Sequence, residues 1–319
     1  LALRLEAERM SNSLFDPAEV EAERTVIISE RQGSENDPLF RLSEAMQSAA
    51  FDLHPYRNQV IGSVEDLRTI QRDDLYQHYR RYYVPNNAVV AIVGDIDSTE
   101  TLAIIKNYFN RISARPLPVR TITAEPEQLG EREIEVHLDA EARVLIGYHK
   151  PTILSFEDYI FDVIEALLAS GRTSRLYKSL IIDKQLATSI STGNGLPGAR
   201  YPNLFVIEAV PKKPHSDTEV LQAIYEEIEL LKHAAVSEHE LRKIKNQLEA
   251  DFIRGLKSNE GLASQLSYFQ IICNNWRYLE QHIATIEKIT PGDIQQAAIQ
   301  YLHHKNRTVA RLVSDKTAR

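Results

Sequence analysis

Two stretches of this sequence can be laid over each other, and that match limits the possible folds more than any composition figure. Residues 69–94 fall on residues 288–313 at an offset of 219, so that Asp74 meets Asp293, Leu75 Ile294, Tyr82 Tyr301, Asn87 Asn306, Val90 Val309 and Val93 Leu312. Asp16-Pro17-Ala18-Glu19-Val20 falls on Ser237-Glu238-His239-Glu240-Leu241 at an offset of 221. Two matches at nearly one offset predict a unit of helix, break and strand used twice, and hence a duplicated domain of helices and strands. The second copy is longer ahead of its helix, which predicts that roughly a hundred residues of the first copy lie before Leu1. The opening points the same way: Leu1 is not an initiator Met and stands inside an amphipathic helical pattern, as in a piece of a longer protein.

Periodicity places the elements. Helices are expected at 1–13, from the Asp16 capping box to about residue 32, at 39–51, from Asp73 or Asp74 to Tyr83, and at 99–110, with a buried strand at Ala88–Val93. Pro116, Pro118 and Pro126 in a charged, aperiodic stretch predict an exposed linker at 113–131 between a first domain, 1–112, and a second, 132–319. In the second domain strands are expected at 133–137, 143–149, 187–193, 203–210 and 307–313. Helices are expected there at 156–169, 173–182, 217–233, 237–256, 259–272, 276–287 and 291–303.

Composition excludes several classes. With 319 residues, 43% of them hydrophobic and 26% charged, the chain has material for about two packed cores and is neither disordered nor fibrous. A net charge of -8 without a Lys/Arg cluster argues against a nucleic-acid partner. No apolar run reaches the roughly 20 residues of a membrane span. The single cysteine, Cys273, cannot form an internal disulfide or a cysteine-rich zinc knuckle and is expected as a small buried apolar residue.

The chemistry-bearing candidates are Glu23 and Glu30, seven apart on the second helix and therefore on one face, two turns from each other, with Ile27 between them. A solvated helix face is the simplest explanation of such a pair. In the second copy their counterparts are Ile244 and Asp251, so the fold itself does not require two glutamates there. Other signals carry less. Gly193–Gly198 is a turn rather than a phosphate loop, because it lacks the Lys and Ser/Thr such a loop needs. His239-Glu240 and His303-His304 lack metal-site spacing and are expected on helix surfaces.

Several stretches resemble one family. They are Leu5-Glu6-Ala7-Glu8-Arg9-Met10, Glu23-Arg24-x-Val26-Ile27-x-x-Glu30-Arg31, His54-Pro55-Tyr56, Ile61-Gly62-Ser63, Tyr82-Tyr83-Val84-Pro85-Asn86-Asn87-Ala88 with Val93-Gly94-Asp95, and Gly171-Arg172-Thr173-Ser174-Arg175-Leu176-Tyr177. Together they are similar to the pitrilysin/insulinase-like M16 metallopeptidases, in the shorter subfamily of mitochondrial processing peptidase and bacterial zinc proteases. That resemblance implies an α+β sandwich of two duplicated LuxS/MPP-like domains, each a mainly antiparallel sheet packed with helices, the first truncated. It implies a zinc endopeptidase with an inverted motif, H-x-x-E-H, whose two histidines and catalytic glutamate lie upstream of Leu1. Glu30 then matches the third zinc ligand and Glu23 the acid that supports the site from behind, while His54 is structural.

The sequence departs from that family in two ways. No H-x-x-E-H occurs in it, so the chain by itself is expected to be inactive and to hold Zn2+ poorly. Ile181 and Thr188 occupy the places of the family's substrate-binding Arg and Tyr, and neither can replace them. The resemblance thus implies a zinc-bearing subunit acting on unfolded or extended peptides, as a homodimer or completed by an Arg/Tyr-bearing M16 partner. The alternative is a non-catalytic scaffold or partner subunit of the same fold. A bacterial cytoplasmic or periplasmic location is the expectation, which the sequence does not decide.

Overall fold

The computed structural model describes residues 1–314. Its helices are α1 (Ala2–Ser11), α2 (Pro17–Ser34), α3 (Pro38–Ala50), α4 (Val64–Thr69), α5 (Arg72–Tyr82), α6 (Ser98–Phe109), α7 (Phe156–Ala169), α8 (Asp217–His233), α9 (Glu238–Gly255), α10 (Asn259–Cys273), α11 (Tyr278–Ile286) and α12 (Pro291–Tyr301). The strands are β1 (Arg132–Leu138), β2 (Arg143–Lys150), β3 (Ala187–Leu196), β4 (Asn203–Pro211) and β5 (Arg307–Ser314). The architecture is α+β. The helix expected at 173–182 is a π-helical stretch, Tyr177–Asp183, and α4 is too short for periodicity to reveal.

Local chemistry sets the helix starts. Asp37 accepts from the Leu39 amide with Pro38 in the first turn of α3, and Asp97 accepts from the Glu100 amide at the start of α6. Capping boxes open α5 (Gln71 and Asp74), α8 (Ser216 and Glu219) and α12 (Thr290 and Asp293), which satisfy amides that a helix start leaves unpaired. The first residue of the α5 box is Gln71, not the expected Asp73 or Asp74.

The sequence repeat has a counterpart in hydrogen bonds. Asp74 and Asp293 both close capping boxes through the backbone N–H of Gln71 and Thr290, at 2.9 and 2.8 Å. Asn87 Nδ2 donates to the Tyr82 carbonyl at 2.9 Å, and Asn306 Nδ2 donates to the Tyr301 carbonyl at 2.7 Å. Each helix is followed by a short 3-10 turn, Pro85–Asn87 and His304–Asn306. Beyond these turns the two copies diverge. Residues 307–314 form β5, but residues 88–93 are not a strand and leave Val89 and Val90 exposed. The apolar run expected as a strand finds no strand beside it among the described residues, and a strand exists only by pairing.

The chain forms two compact units. One comprises residues 1–34, 60–122 and 255–276; the other comprises 35–59, 123–254 and residue 277 onward. The first is helical, with α1 against α6 and α2 against α4. Arg24 ties α2 to the end of α4 by donating to the carbonyls of Leu67 and, at 2.7 Å, Ile70. Phe15 packs edge-on to Tyr76 and against Tyr79.

The second unit contains the sheet, in the order β1-β5-β2-β4-β3, with only β1 and β5 parallel. β2 is buried along most of its length because both of its faces are covered, which explains its near-continuous apolar sequence. On one face α3 buries Leu42, Met46, Ala50 and Phe51 against Leu145, Leu204, Val206, Ala310 and Leu312. The approach is close at Gly147, where a Cβ would stand 3.3 Å from Met46 Sδ and from Leu204 Cδ1. α7, α8 and α12 contact the sheet elsewhere, with Phe161 of α7 packed on Phe205 of β4.

These units cut across the sequence boundaries. Residues 35–59, expected in the first domain, join the sheet because the apolar side of α3 has its burial partners there. The stretch 113–131 has no helix or strand and is mostly exposed, but it is tied down at both ends. Within the first unit Asn86 and Arg115 exchange bonds, Nδ2 to the carbonyl at 2.9 Å and amide to Oδ1 at 3.2 Å. Within the second, Gln128 is buried and donates to the carbonyls of Gly130 and Arg307 at 2.9 and 2.7 Å. Cys273, expected to be buried, is only half-buried.

Candidate functional site

α2 carries both candidate carboxylates. Glu23 and Glu30 are exposed, and neither is in an ion pair among the described residues. Glu23 lines a groove of about 830 Å³ whose other walls include Phe15, Val20, Ile27, Leu67 and Leu75. Glu30 lies beyond it. At the equivalent positions of α9, Ile244 is buried and Asp251 pairs with Arg254 one turn away. Where α9 buries one of these positions and pairs the other, α2 leaves two carboxylates open on one side.

Such a pair could supply a metal ion with one or two oxygen ligands. A tetrahedral zinc site needs three protein ligands besides a water, and no group of three or more His, Cys, Asp and Glu among the described residues could hold a metal ion. The residues present therefore do not make a complete zinc centre, and a chemical step through zinc cannot be built from them alone.

Ile181 lies partly buried in the π-helical stretch. Thr188 is exposed on β3 with its hydroxyl donating to the Val210 carbonyl at 3.3 Å, and nothing at either place can reach out as an arginine or tyrosine would. His239 and His304 are exposed and His303 is half-buried.

His54 is buried among Phe51, Tyr56 and Tyr201, its Nδ1 accepting the Tyr56 amide at 3.1 Å. Burial lowers its pKa, against the opposing pull of Glu125. The Glu125 carboxylate accepts the amides of Asp52, Leu53 and His54 at 2.7, 3.0 and 2.8 Å. Burial pushes that carboxyl up, but the three N–H donors outweigh it and leave it below the usual range. The triad of amides and the tilted and edge-on rings fix the turn after α3.

Periodicity alone missed a polar cluster behind the end of β3, a strand that takes in Gly193–Leu196 of the expected turn. Asp158, Asp162 and Glu165 of α7 stand at spacings of four and three, which brings them to one helix face. Lys150 of β2 forms a buried ion pair with Asp158. Asn194 donates from Nδ2 to Asp162 Oδ1 at 2.8 Å and from its amide to Glu165 Oε2 at 3.1 Å. Burial, and then the charge of Asp158, push the Asp162 carboxyl up to about 7, and the same two causes raise Glu165. The signal was present in the sequence as acids recurring on the most apolar helix, where a solvated face is not expected.

Known proteins resemble the chain in both sequence and fold. The family model described as the peptidase M16 inactive domain matches residues 69–248. The zinc protease PqqE of Helicobacter pylori is 28% identical over 309 residues, covering 94% of this chain and 68% of that protein. An uncharacterized zinc protease of Mycobacterium leprae is 27% identical over 313 residues, covering 96% of this chain and 68% of its own length. The crystal structure of a protease from Helicobacter pylori matches with a TM-score of 0.89 at 27% identity, over 98% of this chain and 76% of that one.

Proposed function

The chain belongs to the peptidase M16 family, and from that membership we propose that it is the larger part of a bacterial zinc endopeptidase acting on unfolded or extended peptides. In this reading Glu30 supplies the carboxylate ligand and Glu23 supports it. The H-x-x-E-H histidines come from residues outside these 319, because the described residues offer no cluster that could complete the site. The observation that carries the proposal is the contrast between α2 and α9: open Glu23 and Glu30 on one, buried Ile244 and paired Asp251 on the other.

The reading extends to organisation and partners. Residues 1–112 and 132–319 are taken as two copies of one ancestral domain, supported by the doubled capping box and the doubled Asn–Tyr bond. The absence of an Arg and a Tyr at Ile181 and Thr188 favours a partner subunit that carries them. β3 is an edge strand rich in Ser, Thr, Gly and Asn and free of charged side chains, the kind of edge to which an extended peptide can add a strand. No helix among the described residues is long and apolar enough to cross a membrane.

The second reading is a non-catalytic partner subunit, favoured by the lack of a metal cluster among the described residues and by the matching family model, whose description is an inactive domain. Zinc content and hydrolysis of an unfolded polypeptide, measured on the protein together with its H-x-x-E-H segment, separate the two. Bound zinc and hydrolysis that both require Glu30 support the peptidase. A protein that binds peptide without zinc and without hydrolysis is the scaffold.

A further inference from the structure

In the first unit, sharing no lining residue with the α2 groove, a cavity of about 220 Å³ is lined by Arg80 of α5 and by Arg111 and Arg115, which follow α6. No aspartate or glutamate lines it, although the chain as a whole carries 45 acidic against 37 basic residues. None of the three guanidinium groups is in an ion pair among the described residues. Arg111 Nη2 donates to Asn107 Oδ1 at 3.1 Å and Arg115 Nη1 to the Arg80 carbonyl at 3.0 Å. Both contacts leave most of each fork's five N–H donors free.

Ordinary structural roles account for part of this arrangement. Arg80 is in the last turn of α5, where a cation complements the helix dipole, and Arg115 donates to a carbonyl of that same turn. Neither role explains why Arg111 lines the same cavity, since like charges gathered around one cavity repel one another. The position of Arg115 is fixed by its exchange of backbone bonds with Asn86. The cavity also contains buried Tyr79, whose hydroxyl is already committed to the Arg9 carbonyl and the Ser13 amide.

We propose that this cavity binds a phosphate-type oxyanion. One carboxylate satisfies one bidentate guanidinium, whereas a phosphate dianion presents three or four oxygens and a charge that several forks can share. The ligand is either inorganic phosphate or the phosphoryl group of a larger molecule.

Calorimetric titration of the purified protein with sodium phosphate, against sodium chloride at matched ionic strength, tests the site. One saturable event is expected for phosphate alone, weakened about tenfold or more in Arg80→Gln and in Arg111→Gln. Arg111→Gln removes only the contact to Asn107, and thermal melts identify the variants that keep the fold. Parallel titrations with a phosphoserine peptide and with ATP assign the source: binding at least about tenfold tighter than inorganic phosphate identifies a phosphorylated ligand, and equal binding identifies phosphate itself. Absence of saturable heat beyond chloride overturns the proposal. So does unchanged phosphate affinity in both glutamine variants when they melt like the parent.

Discussion

Asn194 Nδ2 donates to Asp162 Oδ1 at 2.8 Å, so the C-terminal end of β3 is held to α7 by one amide and a carboxyl group that burial keeps protonated up to about 7. The folded protein holds that proton more tightly than the unfolded chain, whose aspartates titrate near 3.8. The contribution of Asp162 to stability is therefore complete below about pH 3.8 and is lost as pH rises through about 7. Asp162→Asn should stabilise the protein at pH 8 relative to the parent and leave little difference at pH 4, the foot of that window. The gain should be about 2 kcal/mol, less than for a fully enclosed carboxyl because solvent reaches part of the residue. Urea unfolding at the two pH values measures it; equal differences at both would show that Asp162 is not the titrating group.

His149 gives the opposite slope. Its Nε2 donates to the Ala50 carbonyl at 2.9 Å, and burial lowers its pKa from the ordinary 6.5. A depressed histidine contributes stability that is present above about 6.5 and lost as pH falls through its folded value. The melting temperature should drop between pH 7 and pH 5, and His149→Gln, which cannot protonate, should flatten that part of the profile. A variant profile parallel to the parent's would remove His149 as the cause.

Leu42 tests whether α3 belongs to the sheet. It is fully buried in the cluster that joins α3 to β2, β4 and β5. Leu42→Ala should lower stability by about 2–5 kcal/mol in urea unfolding. A loss below about 0.5 kcal/mol, typical of an exposed position, would mean that α3 packs elsewhere.

Asn87 and Asn306 make the same bond to equivalent tyrosines but differ around it. Asn306 Nδ2 also donates to the His149 carbonyl at 2.8 Å, and it is half-buried where Asn87 is exposed. Asn306→Ala should cost about 1–3 kcal/mol and Asn87→Ala well under 1. Equal losses would mean that the two turns carry the same load.

The elements that the sequence revealed share a physical reason. The start of α2 was legible from Asp16, whose carboxylate accepts the Ala18 amide at 2.8 Å, because capping is local chemistry. Strands β2 and β4 were legible as short strand-like segments, although burial on both faces makes them more apolar than alternation alone requires. Ala88–Val93 has the same composition and is not a strand, since pairing depends on a neighbour that composition cannot supply. The assignment of α3 to the sheet was hidden for a related reason: an amphipathic helix records that it has a buried side but not against what. In the site, the spacing of Glu23 and Glu30 was legible, whereas the Asp158–Asp162–Glu165 cluster closes through Asn194, 32 residues beyond Asp162, and the arginine cavity brings Arg115 to Arg80, 35 residues before it.

The proposed role of Glu30 is tested most directly by the zinc content of the longer protein that the proposal requires, one that includes an H-x-x-E-H segment, measured by atomic absorption after dialysis. The samples are the parent, Glu30→Gln and, as a control on the duplicate helix, Asp251→Asn. About one zinc per chain is expected in the parent and in Asp251→Asn, with loss of zinc together with peptidase activity in Glu30→Gln. Retention of zinc and activity in Glu30→Gln would contradict the assignment and return Glu23 and Glu30 to the solvated face of a helix.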